Sequence, residues 1–268
     1  MPGLVDSLNI FCTLVSIASH VMPLFLYITS ITLIYVDDIL LTRNNDEFLQ
    51  HLIFRLSHEF IIKDLRSLHY FLGIEMKPFP SGVFLSQHKY TQDILHKTKM
   101  LESAPLATPM AVKDNSSNSE PVDATLFRSI VGALQYLTFT RPNITFVVNK
   151  VSQFLSSPTF SYLKVVKWIL RYLNGTQHFG LRYIAQSPTN LYALSDADWA
   201  SCTTTRKCIT SFCTFLGTNC ISWCAKKQPT MFHSSIEAEY RSMASTITEI
   251  TGLAFLLQDI GVPLAQPP

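Results

Sequence analysis

Ile31-Thr32-Leu33-Ile34-Tyr35-Val36-Asp37-Asp38-Ile39-Leu40-Leu41-Thr42 sets two adjacent aspartates between apolar, β-branched runs. That pattern predicts a β-hairpin with its tight turn at the acids. Neighbouring carboxylates beside buried strands are costly unless a cation offsets their charge. Mg²⁺, a hard ion that takes carboxylate oxygens, would do so at Asp37 and Asp38. An Asp-rich turn on a surface hairpin has the same spacing, so the pattern alone leaves both readings open.

Upstream, Leu8–Val36 holds no charged side chain apart from His20. Hydropathy makes such a run a transmembrane candidate. Pro23 and several Ser and Thr residues interrupt it, and it flows into the acid pair. These interruptions favour a buried strand over Leu24–Val36, with a membrane span kept as the alternative. No basic stretch precedes the run, so a secretory signal is not expected. The chain is read as intracellular and non-secreted, with its compartment left open.

The chain has 268 residues, enough for about two domains. At 47% hydrophobic and 15% charged residues it can build real cores and is not a disordered tail. A net charge of +2 is no argument for nucleic acid, although a basic groove fits within a balanced total. Five of the six cysteines fall between Cys202 and Cys224, without the paired spacing of a zinc site. They read as free thiols in a reducing compartment.

Downstream of the hairpin, Asn44-Asn45-Asp46 reads as a loop and helix cap. Phe48, Leu49, Leu52, Ile53 and Leu56 then recur at helical spacing, which is ordinary core packing. Phe60–Ile62, His69–Met76 and Gly82–Ser86 read as strands, and Lys89–Lys99 as a helix. Gly73 marks either a close approach of backbone to a ligand or a bulge. Asp114–Ser119 is a polar linker or loop. Beyond it lie three helical stripes: Phe127, Ile130, Val131, Leu134 and Leu137; a helix opened by Arg141-Pro142; and Tyr162, Val165, Val166, Ile169 and Leu173, stopped by Asn174-Gly175. Lys164, Lys167 and Arg171 share one face of the third helix. They could meet duplex phosphates, or form a solvated basic face. Leu191–Leu194, Cys208–Leu216 and Cys220–Cys224 read as strands, and Glu237–Leu257 as a long helix, an α/β layer.

These motifs, in this order, resemble the Pol polyprotein of Ty1/copia-type retrotransposons. The resemblance rests on Tyr35-Val36-Asp37-Asp38, Lys63-Asp-Leu65, Tyr70-Phe-Leu-Gly-Ile-Glu75, Phe84-Leu-Ser-Gln87, Thr108-Pro-Met110, Ser129–Leu137 and Thr140-Arg-Pro142. It continues through Leu170-Arg-Tyr-Leu173, Ser195-Asp-Ala-Asp-Trp-Ala200, Ile221-Ser-Trp223, Lys226-Lys-Gln-Pro229 and Ser234-Ser-Ile-Glu-Ala-Glu-Tyr240. It implies an α/β (α+β) chain in three parts. Residues 1–110 would be a partial reverse-transcriptase palm, 111–177 a linker with a helical thumb or connection, and 178–268 a truncated ribonuclease H-like domain.

The resemblance also implies roles. Asp37 and Asp38 would bind catalytic metal, while Tyr35 and the primer-holding segment Phe71-Leu72-Gly73 would contact nucleic acid. Asp196 matches the first ribonuclease H acid and Glu239 the second, at a site using two Mg²⁺ ions about 3.5–4 Å apart. Glu237 lies about 200° round the helix from Glu239 and should not share that site. Asp198, on the same strand face as Asp196, is a weaker candidate. The implied partners are a primer–template or RNA–DNA hybrid and dNTPs, with no membrane; a partner chain is left open.

A third ribonuclease H acid is expected after Gly261-Val-Pro263, and a first polymerase aspartate before the hairpin. Residues 1–30 offer only Asp6, and the sequence runs to Pro268. The expectation is a chain whose family chemistry is lost or weak. The alternatives are a non-catalytic nucleic-acid-binding remnant or a membrane-associated product of the apolar N-terminus.

Overall fold

The computed structural model describes residues 31–35, 38–42, 46–62, 69–111, 120–201 and 205–268. The expected hairpin forms from β1 (Ile31–Tyr35) and β2 (Asp38–Thr42), which pair antiparallel with Tyr35 opposite Asp38. Asp38 therefore begins the second strand. Val36 and Asp37, and the apolar run before Thr32, lie outside the described residues apart from Ile31. Helix α1 (Asp46–Glu59) follows. Its predicted stripe is only half-buried at Leu49, Leu52, Ile53 and Leu56, and Phe48 is exposed.

Two strand expectations are corrected. Phe60–Ile62 is no strand: the Phe60 amide donates to the Leu56 carbonyl, closing the last turn of α1, and Ile61 and Ile62 continue without strand pairing. His69–Met76 is a hairpin of β3 (Tyr70–Phe71) and β4 (Ile74–Phe79), with Phe71 paired to Ile74. Leu72 and Gly73 between them have φ of 47° and 72°. Positive φ at both central residues is the requirement of a type I′ turn, whose twist matches a hairpin. Alternation alone could not show this fold-back, because a two-residue loop keeps the run short and apolar.

Strand β5 (Gly82–Ser86) extends the sheet, and β6 (Gly180–Ile184) completes it in the order β3-β4-β5-β6, all antiparallel. Between β5 and β6 the chain builds a helical block from α2 (His88–Lys97), α3 (Ala124–Leu137), α4 (Pro142–Ser152) and α5 (Phe160–Gly175). Its core takes Phe127, Val131, Leu134, Leu137, Val166, Ile169 and Leu173 from the expected stripes, together with Ile144 and Val148 of α4. Asp123 caps α3 by accepting from the Thr125 and Leu126 amides, and Pro142 sits in the first turn of α4, where its missing N–H removes no helix bond. The linker expected at Asp114–Ser119 lies outside the described residues.

The last layer is the three-stranded meander β7 (Leu191–Asp198), β8 (Ile209–Leu216) and β9 (Asn219–Lys227), covered by α6 (Ser235–Asp259). Met76, Val83, Leu85, Leu181 and Tyr183 of the four-stranded sheet share one core with Leu191, Leu216, Ile221, Leu253 and Leu257. The Asn219 side chain joins the two sheets: its amide donates to the Ile184 carbonyl and its oxygen accepts from the Ile184 amide. Trp223 Nε1 donates to the Thr138 carbonyl at the end of α3. Strand β6, expected within a domain starting at residue 178, is thus paired with β5. The architecture is mixed α+β, with no helix among the described residues long and apolar enough to cross a membrane.

Candidate functional site

Three regions carry the residues singled out from the sequence. The first is the β3–β4 hairpin. Tyr136 of α3 donates its hydroxyl to the Leu72 carbonyl at the tip. A Cβ on Gly73 would lie 3.2 Å from the Tyr136 ring. Tyr136 is braced by edge contacts to Tyr90 and Phe139, with ring centroids 5.2 and 5.0 Å away. Gly73 is therefore explained by the turn's positive φ and by the aromatic ring packed on it. Phe71 and Leu72 are half-buried, and Tyr70 is 53% exposed. Burial pushes the Tyr90 hydroxyl pKa up, so it stays protonated.

The second region is the basic face of α5. Lys164 and Lys167 are exposed, with the Lys164 ammonium 5.3 Å from the centre of the Phe160 ring. Arg171 differs: its Nε donates to the Ala104 carbonyl at 2.7 Å, and its own carbonyl accepts from the Leu106 amide. Trp168 Nε1 donates to Thr108, and the Asn174 amide donates to the Leu101 and Ser103 carbonyls. Residues 101–108 are thus strapped along α5. Arg171 fastens that strap, which leaves Lys164 and Lys167 as the open cations of the predicted trio.

The third region is the β7–α6 layer. Burial alternates along β7, with Leu191 buried and Tyr192, Leu194, Asp196 and Asp198 exposed. Asp196 pairs with Ser211 inside the strand, two residues before its end. Helix α6 covers the other face, where Ala197 packs against the cluster of Cys208, Phe232 and Ala238, and Ser242 Oγ donates to the backbone carbonyl of Asp196. Glu239 is exposed on α6. Glu237 is engaged at the cap of α6: its amide donates to Ser234 Oγ, and its carboxylate accepts from the amide of His233, the residue before the cap. The carboxylates of Asp37 and Asp38 are not among the described side chains. Among the described residues no three His, Cys, Asp or Glu side chains come close enough to hold a metal ion. Asp196, Asp198 and Glu239 as placed do not make up such a group.

A family model described as reverse transcriptase (RNA-dependent DNA polymerase) matches residues 26–112. An uncharacterized mitochondrial protein of Arabidopsis thaliana is 52% identical over 221 residues, covering 82% of this chain and 92% of that protein. The retrovirus-related Pol polyprotein from transposon RE2 of the same plant is 44% identical over 239 residues, covering 88% of this chain. The chain belongs to the retrotransposon Pol polyprotein family of the copia type. A further relative, the Pol polyprotein from transposon TNT 1-94 of Nicotiana tabacum, is 32% identical over 247 residues. This Pol-family chain spans only 16% and 18% of the RE2 and TNT 1-94 polyproteins. No solved structure matches it. The reverse-transcriptase match runs from the β1–β2 hairpin through α1, the first three strands of the four-stranded sheet, and α2.

Two features of this Pol-family chain escaped sequence reasoning. Arg141, quoted only as part of a motif, is 2% exposed. It donates through Nη1 and Nη2 to the Thr176 carbonyl and hydroxyl at the end of α5, and through Nε to Asn143. Burial holds its pKa below the usual arginine range, with Tyr172 beside it acting the other way. The cysteines described are free thiols, as expected, but Cys213 and Cys220 form a pair. The Cys220 thiol donates to the Ser222 carbonyl at 3.9 Å, and its interaction with Cys213 brings the Cys213 pKa down to about 7 and pushes that of Cys220 up. Adjacent strands create this pair, and sequence spacing gives no hint of it.

Proposed function

We propose that this chain is the reverse-transcriptase and ribonuclease H-like portion of a copia-type Pol polyprotein, serving RNA-directed DNA synthesis and removal of RNA from hybrids. Residues 1–110 would form part of the palm, 111–177 the connecting helical block and 178–268 the ribonuclease H-like layer. Its partners would be a primer–template or RNA–DNA hybrid and dNTPs. Asp37 and Asp38 would be the polymerase acids, and Asp196 with Glu239 the nuclease acids. Tyr35, Phe71, Leu72, Gly73, Lys164 and Lys167 would lie toward nucleic acid. One observation carries this reading: the sheet of the reverse-transcriptase segment shares a core with a strand–hairpin–helix layer that leaves Asp196 and Asp198 exposed on one strand face.

Catalysis by the isolated chain is expected to be weak, because among the described residues no third acid joins Asp196 and Glu239 to hold a metal ion. Phosphoryl chemistry depends on positioned charge, so an incomplete acid set lowers rates by orders of magnitude. The test is cleavage of a labelled RNA–DNA hybrid in Mg²⁺ beside an Asp196→Asn control. Binding by both proteins, with cleavage absent or barely above background, is expected. Rapid cleavage lost in the control would overturn the weak-catalysis part and assign Asp196 a working role.

A further inference from the structure

The four-stranded sheet has two faces. One carries Met76, Val83, Leu85, Leu181 and Tyr183 into the core. Residues directly opposite across antiparallel strands share a face, so the other face carries Lys77, Phe84 and Arg182 in one row. Lys77 and Arg182 are exposed, and Phe84 is half-buried between them. Next to this row Phe79 lies under the Arg182 guanidinium, 5.3 Å from its ring centre. Tyr70, opposite Glu75 on the same face, is 53% exposed. Gly180 leaves the space that the Phe84 ring fills: a Cβ there would sit 2.8 Å from the ring's Cζ. Glu75 is the acid on this face and lies 3.5 Å from Lys77, whose side chain stays 63% exposed.

Aromatic rings on a sheet face, flanked by cations, are what unpaired nucleic acid recognises. Every base has a π-face to stack, and the cations follow the backbone phosphates. A duplex presents no free base faces to such a row, and an acidic peptide would use the two cations without the rings. We propose that the Lys77–Phe84–Arg182 row, with Phe79 and Tyr70, is a binding platform for single-stranded nucleic acid. It extends the proposed function, on which it rests, by assigning the unpaired strand to a surface separate from the hairpin tip and the Asp196 face.

The test is fluorescence anisotropy of the full chain with a labelled oligothymidylate of about 20 nucleotides, at several salt concentrations, beside an RNA–DNA hybrid duplex. Three proteins are compared: the unaltered chain, Lys77→Gln with Arg182→Gln, and Phe84→Leu, each checked for native circular dichroism. The unaltered chain is expected to bind the single strand with salt-sensitive affinity. The double variant should flatten the slope of log affinity against log salt by about 1.4, and Phe84→Leu should weaken binding about tenfold, both sparing the hybrid. Folded variants that bind the single strand as the unaltered chain does would overturn the platform. So would an unaltered chain that binds the hybrid alone, leaving the family function standing. Binding of neither substrate would remove both. If a variant fails to fold, ultraviolet cross-linking of the unaltered chain decides: cross-links at Tyr70, Phe79 or Phe84 are expected, and cross-links confined elsewhere, the hairpin tip included, contradict the proposal.

Discussion

Gly73 and Tyr136 form a matched pair: a turn that needs positive φ, and a ring that tolerates nothing larger above it. Gly73→Ala should destabilise the chain by about 1–2 kcal/mol, since the left-handed conformation penalises any Cβ and the Tyr136 ring must also shift. Tyr136→Phe should cost about 1 kcal/mol by leaving the Leu72 carbonyl without the hydroxyl it accepts from. Urea unfolding measures both, and equal stability of either variant to the parent would contradict the pairing. Arg141 spans α4 and the end of α5 through its planar fork. Arg141→Lys, which keeps the charge and loses the fork, should lose about 2 kcal/mol. The Cys213 thiol should alkylate half-maximally near pH 7, while Cys220 stays unreactive there; mass spectrometry of iodoacetamide adducts across pH checks the order. The sequence left Gly73 open between ligand approach and bulge, because the residue that decides it is 63 positions away in Tyr136 and no local pattern reports that contact.

Elements were legible where the signal is local. The stripes through Phe127–Leu137 and Tyr162–Leu173 recur every three to four residues, and those helices lie where the spacing puts them. The strands beginning at Gly82, Leu191 and Asn219 carry the expected alternation or apolar runs. Phe60–Ile62 misled because a short apolar run at a helix end looks like a strand start when its last amide still serves the helix. Strand β6 was not seen in its true sheet, since its partner β5 lies almost a hundred residues earlier, across a whole helical block. Removing the α3 cap with Asp123→Ala should cost about 1 kcal/mol, read by thermal unfolding. Asn219→Ala should cost more, about 1–3 kcal/mol, because it strands both the amide and the carbonyl of Ile184.

At the scale of the whole molecule, one core joins the sheet of the reverse-transcriptase segment to the β7–β8–β9 layer and α6. Hydrogen exchange should therefore release Val83, Leu181 and Leu253 together, and separate release of Leu253 would contradict a shared core. Family motifs in order made the chain's relationship readable, and the reverse-transcriptase match and the Pol polyprotein relatives agree with it. Motifs name acids without placing them: Asp196 and Asp198 stand on an exposed strand face, while Glu237 is engaged in a helix cap. The proposed function predicts a chain that grips nucleic acid through surface cations while catalysing little. Its most direct test is the affinity of the full chain for an RNA–DNA hybrid between about 50 and 200 mM salt. Binding at the low end that falls steeply with salt is the predicted result. No measurable binding even at the lowest salt, from a folded chain, would contradict it.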